Sequence, residues 1–200
     1  METTMNQLRA WYRDNVADDP VGLHLTNPPH FLSAEEVKLN SGVEYEFIAD
    51  TEDQAELDKL RKGCSHYDWL DFSKDTGTNF EENRVKFAQE HLHADPEKRL
   101  ITDGGGFFEV RDQDDRWIRL HLKKGDLITL PAGIYHRLYL DDKGYVKMLR
   151  LYTETTEWVA LNRGPEADQH PVRAQYLNSL HEKVGCLLVA TTSNKLKLAT

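Results

Sequence analysis

From His91 onward the chain is punctuated into short β-rich runs, and that punctuation constrains its fold more than any other feature. The runs are Phe107–Arg111, Trp117–Leu122, Leu127–Leu130, Tyr135–Leu140 and Tyr145–Tyr152. Ile118, Leu120 and Leu122 alternate with Trp117, Arg119 and His121, the pattern of a strand with one buried face. The breaks between runs carry turn chemistry: Asp103-Gly-Gly-Gly106, Asp112–Asp115, Lys123-Lys-Gly-Asp126 and Asp141-Asp-Lys-Gly144. Short strands at regular spacing predict a sandwich or barrel rather than βαβ units. A mainly β fold with short helices at its periphery is therefore expected, and a double-sheet jelly roll is one architecture of that kind.

The flanks supply the helices. Ser33-Ala-Glu-Glu36 is a capping box ahead of Val37 and Leu39. Residues 52–62 place Ala55, Leu57 and Leu60 at helical spacing, with Gly63 as the stop. Asn79-Phe-Glu-Glu82 reads as a second cap, opening a helix over 80–89 that ends directly before His91. Gly164-Pro165 and His170-Pro171 read as loop, residues 172–182 as a closing helix, and 181–200 as a docking segment or tail. No internal repeat is visible. The organisation is therefore one domain over 1–180, a mixed N-terminal segment leading into a barrel over about 87–160.

Composition narrows the function. Twenty-five basic against 34 acidic residues give a net charge of -9, a poor match to nucleic acid or an anionic membrane. An anionic substrate would need local positive charge to offset that field. No run reaches the roughly 18 apolar residues of a membrane span, and METTMNQLRAWYRDN lacks the apolar core of a secretory signal. Two cysteines, Cys64 and Cys186, make no disulfide framework and fit a reducing compartment.

The chemistry concentrates in His91-Leu-His93-Ala-Asp-Pro-Glu97. Residues i and i+2 of a strand share a face, so His91 and His93 are expected to present two imidazoles together. Pro96 is a poor central-strand residue, and a turn there would carry Glu97 to the same centre. Two imidazoles and a carboxylate suit a divalent first-row metal such as iron, nickel, manganese or zinc. Gly125-Asp-Leu-Ile-Thr-Leu-Pro131-Ala-Gly133-Ile-Tyr-His136 suggests a fourth ligand. Gly125 turns between strands, Pro131 and Gly133 set a tight bend, and His136 opens the next strand. Such a His₃Glu set leaves one or two positions of a six-coordinate ion open to substrate or dioxygen. His-x-His alone is weak, but several spacings agree here. His24, His30, His66, His121, His170 and His181 fall outside the pattern and read as surface or packing residues.

Residues 91–104 and 125–136 resemble the two motifs of the cupin superfamily. Val85 stands where the first motif usually has Gly, and Leu140 where the second usually ends in Asn. More narrowly, EHLHADPEKRLITDGGGFFEVRD, RWIRLHLKKGDLITLPAGIYHRLYLDD and YVKMLRLY resemble the acireductone dioxygenase family. So do Ala10-Trp-Tyr12, Tyr67-Asp-Trp69-Leu-Asp71 and Trp158-Val-Ala-Leu-Asn-Arg163, and the likeness runs from about residue 9 to about 180.

The resemblance implies one Fe²⁺ or Ni²⁺ ion on His91, His93, Glu97 and His136. The implied substrate is acireductone, 1,2-dihydroxy-3-oxo-5-methylthiopentene, cleaved with O₂ in methionine salvage. The iron form would give 4-methylthio-2-oxobutanoate and formate. The nickel form would give 3-methylthiopropanoate, formate and carbon monoxide. Arg99, two residues after Glu97, falls on the same strand face, and Arg150 sits on the otherwise apolar face of Val146, Met148 and Tyr152. An inward arginine there needs an anion, either the substrate, as the resemblance implies for both arginines, or a neighbouring acid. Phe87 matches a family aromatic near the substrate and equally suits helix core. Leu138 stands where many members carry Phe, and Trp158 is a weaker candidate for the same wall. A cupin isomerase or hydrolase, and a non-catalytic metal-binding cupin serving as a partner-binding module, are the competing readings. A monomer is expected from the lack of an apolar stripe, and the cytoplasm, with the nucleus as a second location, is the expected compartment.

Overall fold

The computed structural model describes residues 7–16, 19–75, 79–153 and 159–182. The expected tail beyond 182, and Trp158, lie outside the described residues. The N-terminal part comprises β1 (Arg9–Tyr12), β2 (Phe31–Leu32), α1 (Ala34–Ser41), β3 (Glu44–Phe47), α2 (Gln54–Arg61), β4 (His66–Ser73) and α3 (Phe80–Ala88). Then come β5 (His91–Leu92), β6 (Glu97–Arg111), β7 (Trp117–Lys123), β8 (Asp126–Leu130), β9 (His136–Leu140) and β10 (Tyr145–Tyr152). The described chain closes with β11 (Leu161–Asn162), α4 (Pro165–Asp168) and a helix over 171–182, α5.

All pairings are antiparallel and form two layers that share β6. One layer runs β11-β5-β9-β6-β7-β1-β2, and the other places β10 and β4 on one side of β6 and β8 and β3 on the other. The expected double-sheet β fold is what the chain forms. Its core is the apolar filling between the layers, including Ile101, Phe108, Val110, Ile118, Leu120, Ile128, Leu130 and Met148. A second apolar cluster, Leu57, Leu100, Leu127, Leu149 and Leu151, seats α2 on an outer face.

Two sequence expectations are corrected. Asp103-Gly-Gly-Gly106 is not a turn: β6 runs straight through it and changes layer there. Residues 97–104 pair with β8 and β10, whereas 105–111 pair with β7 and β9. Opposite Lys147 and Met148 the register slips, Met148 facing Ile101 and Lys147 facing Asp103, so Thr102 is an extra residue. The bulge reverses the inside parity, from Ile101 before it to Phe108 and Val110 after it. A β-carbon on Gly106 would stand 2.5 Å from the Tyr139 carbonyl oxygen, so close strand approach, not turn formation, demands glycine. The second correction concerns Asn79. It precedes α3 in a left-handed conformation (φ 77°) and makes no side-chain capping bond. By contrast, Ser33 and Glu36 form the full capping box of α1, closed by Gly42 at φ 72°. No helix among the described residues is long and apolar enough to cross a membrane.

Candidate metal centre

Three separate strand starts deliver the site. β5 is only two residues long, so His93 lies just past its end, but both rings turn to one point, their centroids 5.0 Å apart. Glu97 opens β6 after Pro96, and His136 opens β9 after the Pro131-Ala-Gly133-Ile134 turn. Gly133 holds φ 80° in that turn, as the third residue of a type II turn requires. Its amide donates to the His93 carbonyl at 2.9 Å, tying the two motifs together. His136 lies 4.4 Å from His91 and 5.3 Å from His93, centroid to centroid. The Glu97 carboxylate reaches His136 Nε2 at 3.0 Å and His93 Nε2 at 3.9 Å. All four proposed ligands therefore converge in a buried site.

Each imidazole is held in the ligand tautomer. Nδ1 of His91 donates to the Gln89 carbonyl (2.7 Å), Nδ1 of His93 to the Val159 carbonyl (2.9 Å), and Nδ1 of His136 to the Ile134 carbonyl (3.1 Å). A carbonyl can only accept, so each Nδ1 carries a proton and Nε2 is the nitrogen turned to the centre, where a neutral ring would offer its lone pair to a ligand. One ligand atom from each histidine lies within 4.8 Å of the others. Burial, followed by the neighbouring His136, pushes His91 down to about 3. Burial likewise pushes His93 down to about 4, against the pull of Glu97. Burial opposes the charge on Glu97, but the Arg99 guanidinium and the histidines outweigh it and hold the carboxyl well below the usual carboxylate range. Neutral imidazoles beside an ionised carboxylate are the protonation states a metal needs. These donors fit a divalent first-row ion, and the three histidines form a metal-binding site.

Arg99 is buried and pairs with Glu97, with its guanidinium 5.4 Å from the Tyr152 ring centroid. Arg150 takes a bidentate salt bridge to Asp68, 2.6 Å from Nε and 2.5 Å from a terminal nitrogen. The neighbouring-acid reading is thus the contact seen, although Arg150 still lines the cleft beside the histidines. That cleft is bounded by Leu70, Phe87, His91, Arg99, Phe108, His136, Leu138, Met148 and Arg150, and its free volume of about 20 Å³ suits one ion or water. Beside it a wider cavity of about 680 Å³, lined by Asn83, Lys86, Phe87, His91, Arg150 and Asn162 among others, forms the mouth. Phe87 lines the cleft, and its ring packs 5.1 Å from Phe72. Leu138 forms part of the wall. Sequence reasoning missed Asp68 and the carbonyls of Gln89, Ile134 and Val159. Asp68 lies 82 residues from Arg150, and only the β4–β10 register brings them together. The six other histidines lie outside the three-histidine group; His66 stacks on Tyr152 and His24 pairs with Asp14.

Two antiparallel layers enclosing three histidines and a glutamate define a metal-binding protein of cupin type. The model of the ARD/ARD' family matches residues 9–160. Over 182 residues the chain is 44% identical to acireductone dioxygenase of Ixodes scapularis, covering 88% of this chain and 98% of that one. The Gallus gallus acireductone dioxygenase is 43% identical over 181 residues, with 88% and 98% covered. The solved acireductone dioxygenase of Bacillus anthracis, with a cadmium ion in its active centre, shares the fold at a TM-score of 0.59 and 23% identity, covering 78% of this chain and 98% of that one. The chain belongs to the ARD/ARD' family, the acireductone dioxygenases.

Proposed function

We propose that this chain cleaves acireductone with O₂ at one Fe²⁺ or Ni²⁺ ion held by His91, His93, Glu97 and His136. The observation that carries the reading is the three imidazoles with every Nδ1 tied to a main-chain carbonyl, which directs three Nε2 atoms and one carboxylate to one point. When bound, the ion supplies Lewis acidity and open positions for an oxygen-rich substrate.

The protein residues prepare that point. The carbonyls of Gln89, Val159 and Ile134 hold the ring protons away from the centre, and Arg99 keeps Glu97 ionised. Arg99 and Arg150 offset the net negative charge where an enediolate must enter. Phe87, Phe108, Leu138 and Met148 give an apolar wall for a thioether tail and exclude water.

The deciding experiment joins elemental analysis with product analysis. Oxygen uptake with acireductone is expected. Carbon monoxide among the products marks the nickel reaction and 4-methylthio-2-oxobutanoate the iron reaction. Conversion of an enediol without oxygen uptake by metal-loaded protein would point instead to an isomerase or hydrolase.

A further inference from the structure

Across the inner face of the second layer, Asp68 on β4, Arg150 on β10 and Arg99 on β6 stand in one row as direct cross-strand partners. Two arginines placed opposite each other repel, and such a pair is tolerated only where each has a counter-charge. Arg99 has Glu97, on the same strand, and Arg150 has Asp68. The two counter-ions differ in kind. Glu97 belongs to the candidate metal site, whereas Asp68 does not line the cleft and meets it through its bond to Arg150. Its bidentate grip fixes the plane of the guanidinium as well as its position, which a single contact would not do. Arg150 is 16% exposed at its side chain, between the cleft and the outer cavity, so its orientation decides which of the two it serves.

We propose that Asp68 is a positioning residue for the enediolate, holding Arg150 edge-on to the cleft so that the arginine meets the substrate anion pre-oriented. This rests on the proposed function for its substrate. The role is expressed in substrate capture rather than in metal binding.

The test uses the metal-loaded full chain. Asp68→Asn is expected to raise KM for acireductone about tenfold, with kcat within about twofold of wild type and metal content unchanged. Asp68→Glu keeps the charge and should recover most of the loss. In an Arg150→Met background, Asp68→Asn should add nothing, since the residue acts through Arg150. A readout independent of turnover is the rate at which phenylglyoxal labels Arg150, followed by mass spectrometry, which should rise severalfold in Asp68→Asn. An unchanged KM, an unchanged labelling rate, or an equal Asp68→Asn effect in the Arg150→Met background overturns the inference. If wild-type protein holds metal yet consumes no oxygen with acireductone, the proposed function fails instead, and the labelling rates still decide whether Asp68 positions Arg150.

Discussion

His91 and His136 face each other as direct cross-strand partners on β5 and β9, with ring centroids 4.4 Å apart. An ion held by both residues would link strands that belong to two separate motifs, so its binding energy would also be folding energy. Metal at a hundredfold excess over its Kd should stabilise the wild-type chain by about 2.7 kcal/mol. That corresponds to a rise in Tm of roughly 5–10 °C for a domain of this size. His136→Ala and His91→Ala should lose that increment and bind metal at least about a hundredfold more weakly. Differential scanning calorimetry with and without metal, paired with elemental analysis, measures both. Full metal content in His91→Ala would refute the ligand assignment.

The low values of His91 and His93, about 3 and about 4, imply a pH dependence of the metal-free fold. Between those values and the unfolded histidine value near 6.5, the unfolded chain binds protons that the folded site refuses. Stability therefore rises with pH through this window and is lost as pH falls below about 6.5, by up to roughly 1.4 kcal/mol per pH unit for each histidine. Glu97, held below its ordinary range, acts in the same direction at lower pH. Urea unfolding of apo protein between about pH 4.5 and 7 should show this slope, and a His91→Ala, His93→Ala double variant should flatten it. An equal slope in the double variant would assign the effect to other groups.

The convergence of the site was legible because its parts are local in sequence: His91, His93 and Glu97 fall within one turn and strand start, and His136 follows a turn that Pro131 and Gly133 mark. The same holds for β7 and β10, whose apolar positions repeat at short range. The N-terminal strands were not legible. β1 is buried by pairing with β7, Trp11 opposite Arg119, and β4 is an alternation of half-exposed residues that becomes a strand only beside β10. Both depend on partners far along the chain, which periodicity cannot report. Glycine misled at Gly104–Gly106 because one residue type serves both turns and close strand approach. Arg150 showed the need for an anion, but the choice between substrate and Asp68 rested on inter-strand register.

The buried Arg99–Glu97 pair predicts a stability effect that metal should soften. Arg99→Met leaves Glu97, only 2% exposed, without its strongest counter-charge. Removing one partner of a buried pair costs about 3–5 kcal/mol, because the remaining charge is stranded. Urea unfolding of the apo variant should show a loss of that order. Saturating divalent metal supplies a new counter-charge to Glu97 and should recover part of it. Equal losses with and without metal would mean that Glu97 does not face the ion.

Gly133→Ala tests the turn that joins the two motifs. At φ 80° any L side chain is strained, and a β-carbon would stand 2.5 Å from the Val172 carbonyl oxygen and 3.0 Å from Tyr176 Cβ. The left-handed conformation alone costs about 1–2 kcal/mol. Relief of the clash must move either α5 or the turn, and the turn holds His93 through the Gly133 amide and leads directly into His136. The variant should lose about 2–4 kcal/mol of stability and bind metal roughly tenfold more weakly. Gly63→Ala is the control. Gly63 also has a positive φ, 86°, but a β-carbon there meets nothing within 4 Å and it lies outside the candidate site. It should lose stability by backbone strain alone and keep its metal affinity. Urea unfolding and competition with a metal-binding dye separate the two effects. Unchanged metal affinity in Gly133→Ala would show that the turn can shift without moving His136.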